Sequence, residues 1–186
     1  MSSHPHIVLP WVVRRTRMPL LTIRCVDCPS ERATIGDGKF RVNCNGKLLG
    51  IWLLVNCASC GRTSKLSVHD RVPVRSLPAG RLAGYWADSP SLVEETLFDP
   101  LFARRNRFAL DWEGRWELHA PLIPEEDSCV RIAVTFDDPV PVRPEWLIAH
   151  GLGISRGEIA RRVRTDVPIN RRTKQGFSFV LMEPVS

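Results

Sequence analysis

The chain has 186 residues, of which 44% are hydrophobic, and a formal net charge of +6. That length supports one sizeable cored domain or two small ones, and no apolar run reaches the ~18 residues that mark a membrane-spanning helix. The charge is uneven, with +8 over residues 1–80, −6 over 81–145 and +4 over 146–186, which fits two basic units joined by an acidic middle, with polyanion binding open to both ends.

Taken in chain order, the apolar patch at residues 7–13 is broken by Pro10 and followed at once by Arg14, Arg15 and Arg17. A secretory signal carries its positive charges before its apolar stretch, so this patch reads as part of the fold and the protein as cytoplasmic. A basic entry strand over residues 21–24 leads to Cys25-Val26-Asp27-Cys28. Residues 40–44 and 48–56 then flank Asn45-Gly46, a two-residue hairpin signal. The second of these strands runs into Cys57-Ala58-Ser59-Cys60-Gly61. Residues 65–74 alternate Leu66, Val68 and Val72 with polar neighbours, as a half-buried strand does.

Residues 78–84 read as a loop. Ser89 then caps a helix that has Pro90 in its first turn; Asp99-Pro100 interrupts it, and residues 101–106 form a second short helix. Residues 108–112 and 115–118 make a hairpin candidate around Glu113-Gly114, and residues 130–136 alternate as a strand. A helix over residues 144–150 stops at Gly151 and restarts after Ser155 as a second helix over 156–164. Residues 177–182 close the chain as a strand. The fifteen prolines favour such short segments. The expected class is α+β, with a cysteine-bearing β unit at 1–80, an acidic α+β connecting region at 81–142 and a basic segment at 143–186. The first boundary is soft and lies near residues 76–90.

The two Cys-x-x-Cys pairs are separated by 28 residues. In a reducing compartment, and in a chain too long to need covalent staples, that arrangement points to metal rather than disulfides. Zinc takes four thiolates at tetrahedral corners, and Gly61 supplies the left-handed turn that such a knuckle needs. Cys25, Cys28, Cys57 and Cys60 are therefore the expected ligands of one structural Zn2+, in a zinc-ribbon-like β unit, with Cys44 and Cys129 left over as small buried apolar residues. A thioredoxin-like redox pair would open a helix, whereas Pro29 and Gly61-Arg62-Thr63 follow these pairs. A catalytic zinc would keep one position open. Arg24, Arg62 and Lys65 are placed to offset the −2 charge of the tetrathiolate cluster.

The segment from Arg143 through Trp146, Leu147, Gly151, Leu152, Ser155 and Arg156 to Val163 resembles the S4-type RNA-binding domain, named for the fourth protein of the small ribosomal subunit. Arg143, Leu147, Gly151, Leu152, Ser155 and Arg156 fall on its matching positions. Pro144 and Glu145 depart from its usual first helix, and Pro168 to Arg172 departs from its usual strand turn. The resemblance implies an S4-like helical pair whose second helix faces structured RNA. The residues themselves agree: Ser155 can cap that helix, Ile159 and Val163 face a core, and Arg161, Arg162 and Arg164 fall outside that stripe. Arg171, Arg172 and Lys174 extend the basic surface, and arginine suits phosphate and base contacts. A packing unit with a merely solvated basic face is the other reading.

End to end, through Cys25 to Cys28, the stretch 53–64, the run from Arg104 to Asp111 and the stretch 143–163, the chain resembles a bacterial family named only as domain of unknown function 1062. That resemblance implies a zinc ribbon joined to an RNA-binding-like end and brings no activity. His69 stands near the cysteine unit, and Trp112 and Trp116 flank the Glu113-Gly114 turn, where they could stack on bases. Asp137-Asp138 reads as a turn before Pro139, and Glu125-Glu126-Asp127 as a solvated loop. No phosphate loop, nucleophile elbow or other catalytic constellation stands out, so a binding protein is expected rather than an enzyme. Two classes fit: an RNA-binding accessory protein for ribosomal or transfer RNA, and a zinc-ribbon module that docks a protein partner or DNA. The oligomeric state is open.

Overall fold

The computed structural model describes residues 8–123 and 130–182; Glu125, Glu126, Asp127 and Cys129 lie outside them, and Cys44, expected to be buried, is exposed near the hairpin end of its strand. The chain separates into two compact units. One is formed by residues 1–17 with 112–186, and the other by residues 18–111. The second is therefore inserted between two parts of the first, and the chain crosses between them at 17/18 and 111/112 rather than near residues 80 and 142. Both units contain a sheet and helices, so the α+β class holds.

The inserted unit contains β2 (Leu20–Thr22), β3 (Arg32–Thr34), β4 (Phe40–Asn45), β5 (Leu48–Cys57), β6 (Thr63–Pro73) and β7 (Ala109–Asp111). Its sheet runs β4-β5-β3-β2-β7, with β6 along the other edge of β5. Alternation along β5 sends Leu49, Ile51, Leu53, Val55 and Cys57 inward, as the two-residue period of a strand requires. Asn45 pairs with Leu48, so the hairpin loop is Gly46-Lys47, one residue beyond the expected Asn45-Gly46. Gly46 has φ +61°, the conformation that the first central residue of a type II′ turn needs.

Three helices complete this unit: α1 (Ala79–Trp86), α2 (Pro90–Phe98) and α3 (Pro100–Asn106). The expected loop at 78–84 is instead the body of α1. Its two glycines are poor helix formers, but Tyr85, 1% exposed, sets its ring edge against Phe40 with centroids 4.9 Å apart, and that tertiary burial outweighs local propensity. Asp99 ends α2 and accepts the Leu101 N–H at 2.9 Å, capping α3. Asn106 fastens α3 to β6 by bonding both backbone groups of Ser67.

The other unit carries β1 (Val8–Arg15), β8 (Trp116–His119), β9 (Arg131–Phe136), β10 (Val163–Thr165) and β11 (Phe177–Leu181), in the order β10-β11-β9-β1-β8. The pair β1–β9 is parallel and the others antiparallel. A turn does close at 112–115, where the Arg115 N–H donates to the Trp112 carbonyl. The strands around it, however, join different sheets: β7 pairs with β2 and β8 with β1. The expected hairpin there is therefore not one.

Helices α4 (Pro144–Leu152) and α5 (Arg156–Arg162) belong to this unit. Contrary to expectation, α4 runs through Gly151 and stops at Gly153, whose φ is +66°. Gly151 answers a packing demand instead: a Cβ there would lie 2.3 Å from the Trp11 ring, and Trp11 is fully buried. The second helix ends two residues earlier than expected because Val163 and Arg164 pair with Leu181 and Val180. Glu158 accepts both the Ser155 N–H and hydroxyl, at 2.8 and 2.7 Å, fixing the start of α5. These bonds hold its carboxyl below the ordinary carboxylate range, helped by Arg162 and Arg161. No helix among the described residues is long and apolar enough to cross a membrane.

Candidate metal centre

Each cysteine pair sits at a hairpin tip of the inserted unit. The first lies between β2 and β3, the second between β5 and β6. Because β3 pairs with the end of β5, Ala33 opposite Cys57, the two tips are neighbours at one end of the sheet. Their backbones close alike. The Cys25 N–H donates to the Ser30 carbonyl and the Cys57 N–H to the Arg62 carbonyl, both at 2.8 Å. Gly61, with φ +73°, donates its N–H to the Cys57 carbonyl at 3.0 Å and so tightens the second tip. Arg62 then ties the tips together by donating to the Asp27 carboxylate.

The four sulfurs converge. All lie within 4.8 Å of one another, with Cys25 to Cys60 at 3.7 Å and Cys28 to Cys57 at 3.6 Å. These separations are far beyond the ~2.05 Å of a disulfide. Bonds of about 2.3 Å to a tetrahedral ion put neighbouring sulfurs about 3.8 Å apart, so the two measured edges suit one metal ion with four thiolates.

The electrostatics of the bare thiols are mutually opposed. Backbone N–H groups of Cys60, then Ser59, hold the Cys57 thiol down at about 6. At Cys28 the Ser30 N–H pulls the same way, but burial and the three neighbouring thiols push that group up to about 12. Several thiolates this close repel one another, and a cation among them would offset that repulsion. Of the bases expected to offset their charge, Arg62 serves Asp27 first, its guanidinium pKa raised by that bond and then by the charges of Asp27, Cys25 and Cys60. Lys65 instead stands 6.0 Å over the Trp52 ring. His69 is outside the cluster, with Nε2 3.3 Å from the Tyr85 hydroxyl, its pKa lowered by burial and then by Arg81 and Arg105.

A family model described as a protein of unknown function (DUF1062) matches residues 42–174. The chain belongs to that family. The DUF1062 match takes in Cys57 and Cys60 but begins after Cys25 and Cys28, so half of the sulfur cluster lies outside it. No curated protein and no solved structure matches the chain.

The basic residues of the C-terminal segment do not act as one face. Arg143, Arg156 and Arg172 line one groove of their unit. Arg161, Arg164, Arg171 and Lys174 are exposed outside its lining. Arg162, expected on the open basic face, is instead 14% exposed and lies 3.8 Å from Glu158 within α5, where it supports the helix. Trp112 is buried, whereas Trp116 reaches the groove. Trp146 and His150, neither of them expected as a site residue, also line it. Their signal was the four-residue spacing on α4, which shares one helical face.

Proposed function

We propose that this protein holds one structural zinc ion through Cys25, Cys28, Cys57 and Cys60, in a zinc-ribbon-like arrangement, and serves as a cytoplasmic accessory protein that binds structured RNA through its basic C-terminal segment. The observation that carries the metal is the meeting of four sulfurs at edges of 3.6 and 3.7 Å. Four thiolates fill every position of a tetrahedral ion and leave none for a substrate. The zinc orders the two tips, and its chemistry stops there. The RNA part is supported by exposed arginines that face away from the core at Arg161, Arg164 and Arg171.

Elemental analysis of freshly isolated protein tests the first part: one zinc per chain is expected, lost in Cys60→Ser, and metal-free material that is fully folded would refute it. Binding of the full chain to transfer or ribosomal RNA tests the second. Affinity should fall steeply as salt rises, because phosphate neutralisation releases counterions, and Arg161→Glu should weaken it. No association at low salt would leave the docking of a protein partner as the reading.

A further inference from the structure

The groove beside α4 combines three features that the zinc site does not explain. It encloses about 530 Å³ and is lined by Trp116, Trp146 and His150 together with Arg143, Arg156 and Arg172. Its aromatic part is ordered. The Trp146 and His150 rings stack 5.0 Å apart at an interplanar angle of 11°, and Trp116 meets Trp146 edge-on at 5.4 Å and 69°. Burial of Leu147, Ile148 and Leu152 against the unit's core turns Trp146 outward on the same helix. That ring remains 41% exposed, an unusual cost in apolar surface for a residue that usually fills cores.

The arginines are arranged against their own repulsion. Val142 and Thr173 form an antiparallel bridge, each donating its N–H to the other's carbonyl. Arg143 and Arg172 each adjoin that bridge in sequence, and both line the groove. Like charges gathered in one groove repel, and among the described residues Arg143 has only Glu145 within ion-pair reach, at 4.0 Å. Arg156 and Arg172 make no ion pair among the described residues. An anion between these side chains would convert the repulsion into charge-assisted hydrogen bonds.

Glu113 and Glu117 also line the groove. They would oppose a ligand made only of phosphates, but a carboxylate accepts well from the amino edge of a base. Flat rings, guanidinium forks and carboxylates together match a nucleobase that carries its own phosphate. We propose that this groove holds one unpaired nucleotide, its base stacked on the Trp146–His150 pair and its phosphate between Arg143, Arg156 and Arg172. This deepens the RNA reading, on which it rests for the source of that nucleotide. The same chemistry would accept a free mononucleotide.

The test uses the full chain and three probes: a labelled single-stranded RNA oligonucleotide, 5′-mononucleotides and inorganic phosphate. The oligonucleotide and the mononucleotides should bind, and phosphate far more weakly. Trp146→Ala should weaken both nucleotide probes about tenfold, the loss that follows removal of one base–aromatic stack, while Trp146→Phe keeps most of the affinity. Arg172→Ala should weaken binding and make the salt dependence shallower by about one counterion. Because Trp146 is partly exposed, its truncation leaves the core intact, which an unchanged melting temperature would verify. Mononucleotide binding without any RNA binding would keep the groove and remove the RNA reading. RNA binding indifferent to Trp146→Ala and Arg172→Ala would remove the groove and keep that reading. Phosphate binding as tight as mononucleotide binding would also overturn the proposal.

Discussion

The inserted unit and the unit that encloses it build their sheets in opposite ways. In residues 18–111 the strands β4, β5 and β6 follow one another and pair as neighbours, β2 and β7 alone pairing across the length of the unit, and the sulfur cluster sits at two hairpin tips. In the enclosing unit the central pair β1–β9 joins distant parts of the chain, across a separation typified by the Arg14–Asp137 contact at |i−j| = 123. Closing so long a loop costs conformational entropy before any contact repays it. A folded insertion removes much of that cost by fixing its own ends. The difference teaches that order in the insertion is mostly local and, with the proposed metal, clamped at its tips, whereas order in the enclosing unit depends on a few close-packed long-range contacts.

Metal removal should expose that difference most strongly. Structural zinc contributes on the order of 10 kcal/mol in small metal-dependent domains, so chelation, or Cys57→Ser, should sharply raise hydrogen exchange at residues 25–32 and 57–63. Amides of β1, β9 and β11 should keep their protection at equilibrium. Equal loss in both units would break the comparison and make the protein one cooperative body.

The converse test is Gly151→Ala. Its new Cβ would meet Trp11 ring atoms at 2.3 and 2.4 Å and Leu118 at 2.9 Å. Overpacking of this kind costs roughly 1–3 kcal/mol, and the loss should appear in the melting of the enclosing unit with zinc content unchanged. A smaller effect, about 0.5–2 kcal/mol, is expected for Ser155→Ala, which weakens the start of α5. It should also change the acid limb of stability. Glu158 has a lowered folded pKa, so its contribution is present above the unfolded carboxylate pKa and is lost as pH falls through the folded one. The variant should lose that part of the dependence, measured as melting temperature against pH.

The legible parts of this protein are those whose partners lie close in sequence. The two cysteine pairs signalled through spacing alone that their sulfurs meet, the Asp99-Pro100 break told where one helix ends and the next begins, and Ser155 marked the start of α5. Each depends on atoms a few residues apart, so residue type and offset carry the information. Where the local signal weakened, the reading failed in the same physical way. The glycines around Leu82 looked like a loop until Tyr85 was buried, and Gly151 looked like a helix stop because nothing nearby reveals Trp11.

What the sequence determined by itself was therefore which four cysteines cluster, the α+β class and most strand and helix positions. Tertiary structure alone decided that β7 and β8, only a turn apart, go to different sheets, and that Arg143, Arg156 and Arg172 share one groove. Those outcomes depend on the free energy of burying surfaces brought together from opposite ends of the chain, which no window of neighbouring residues contains.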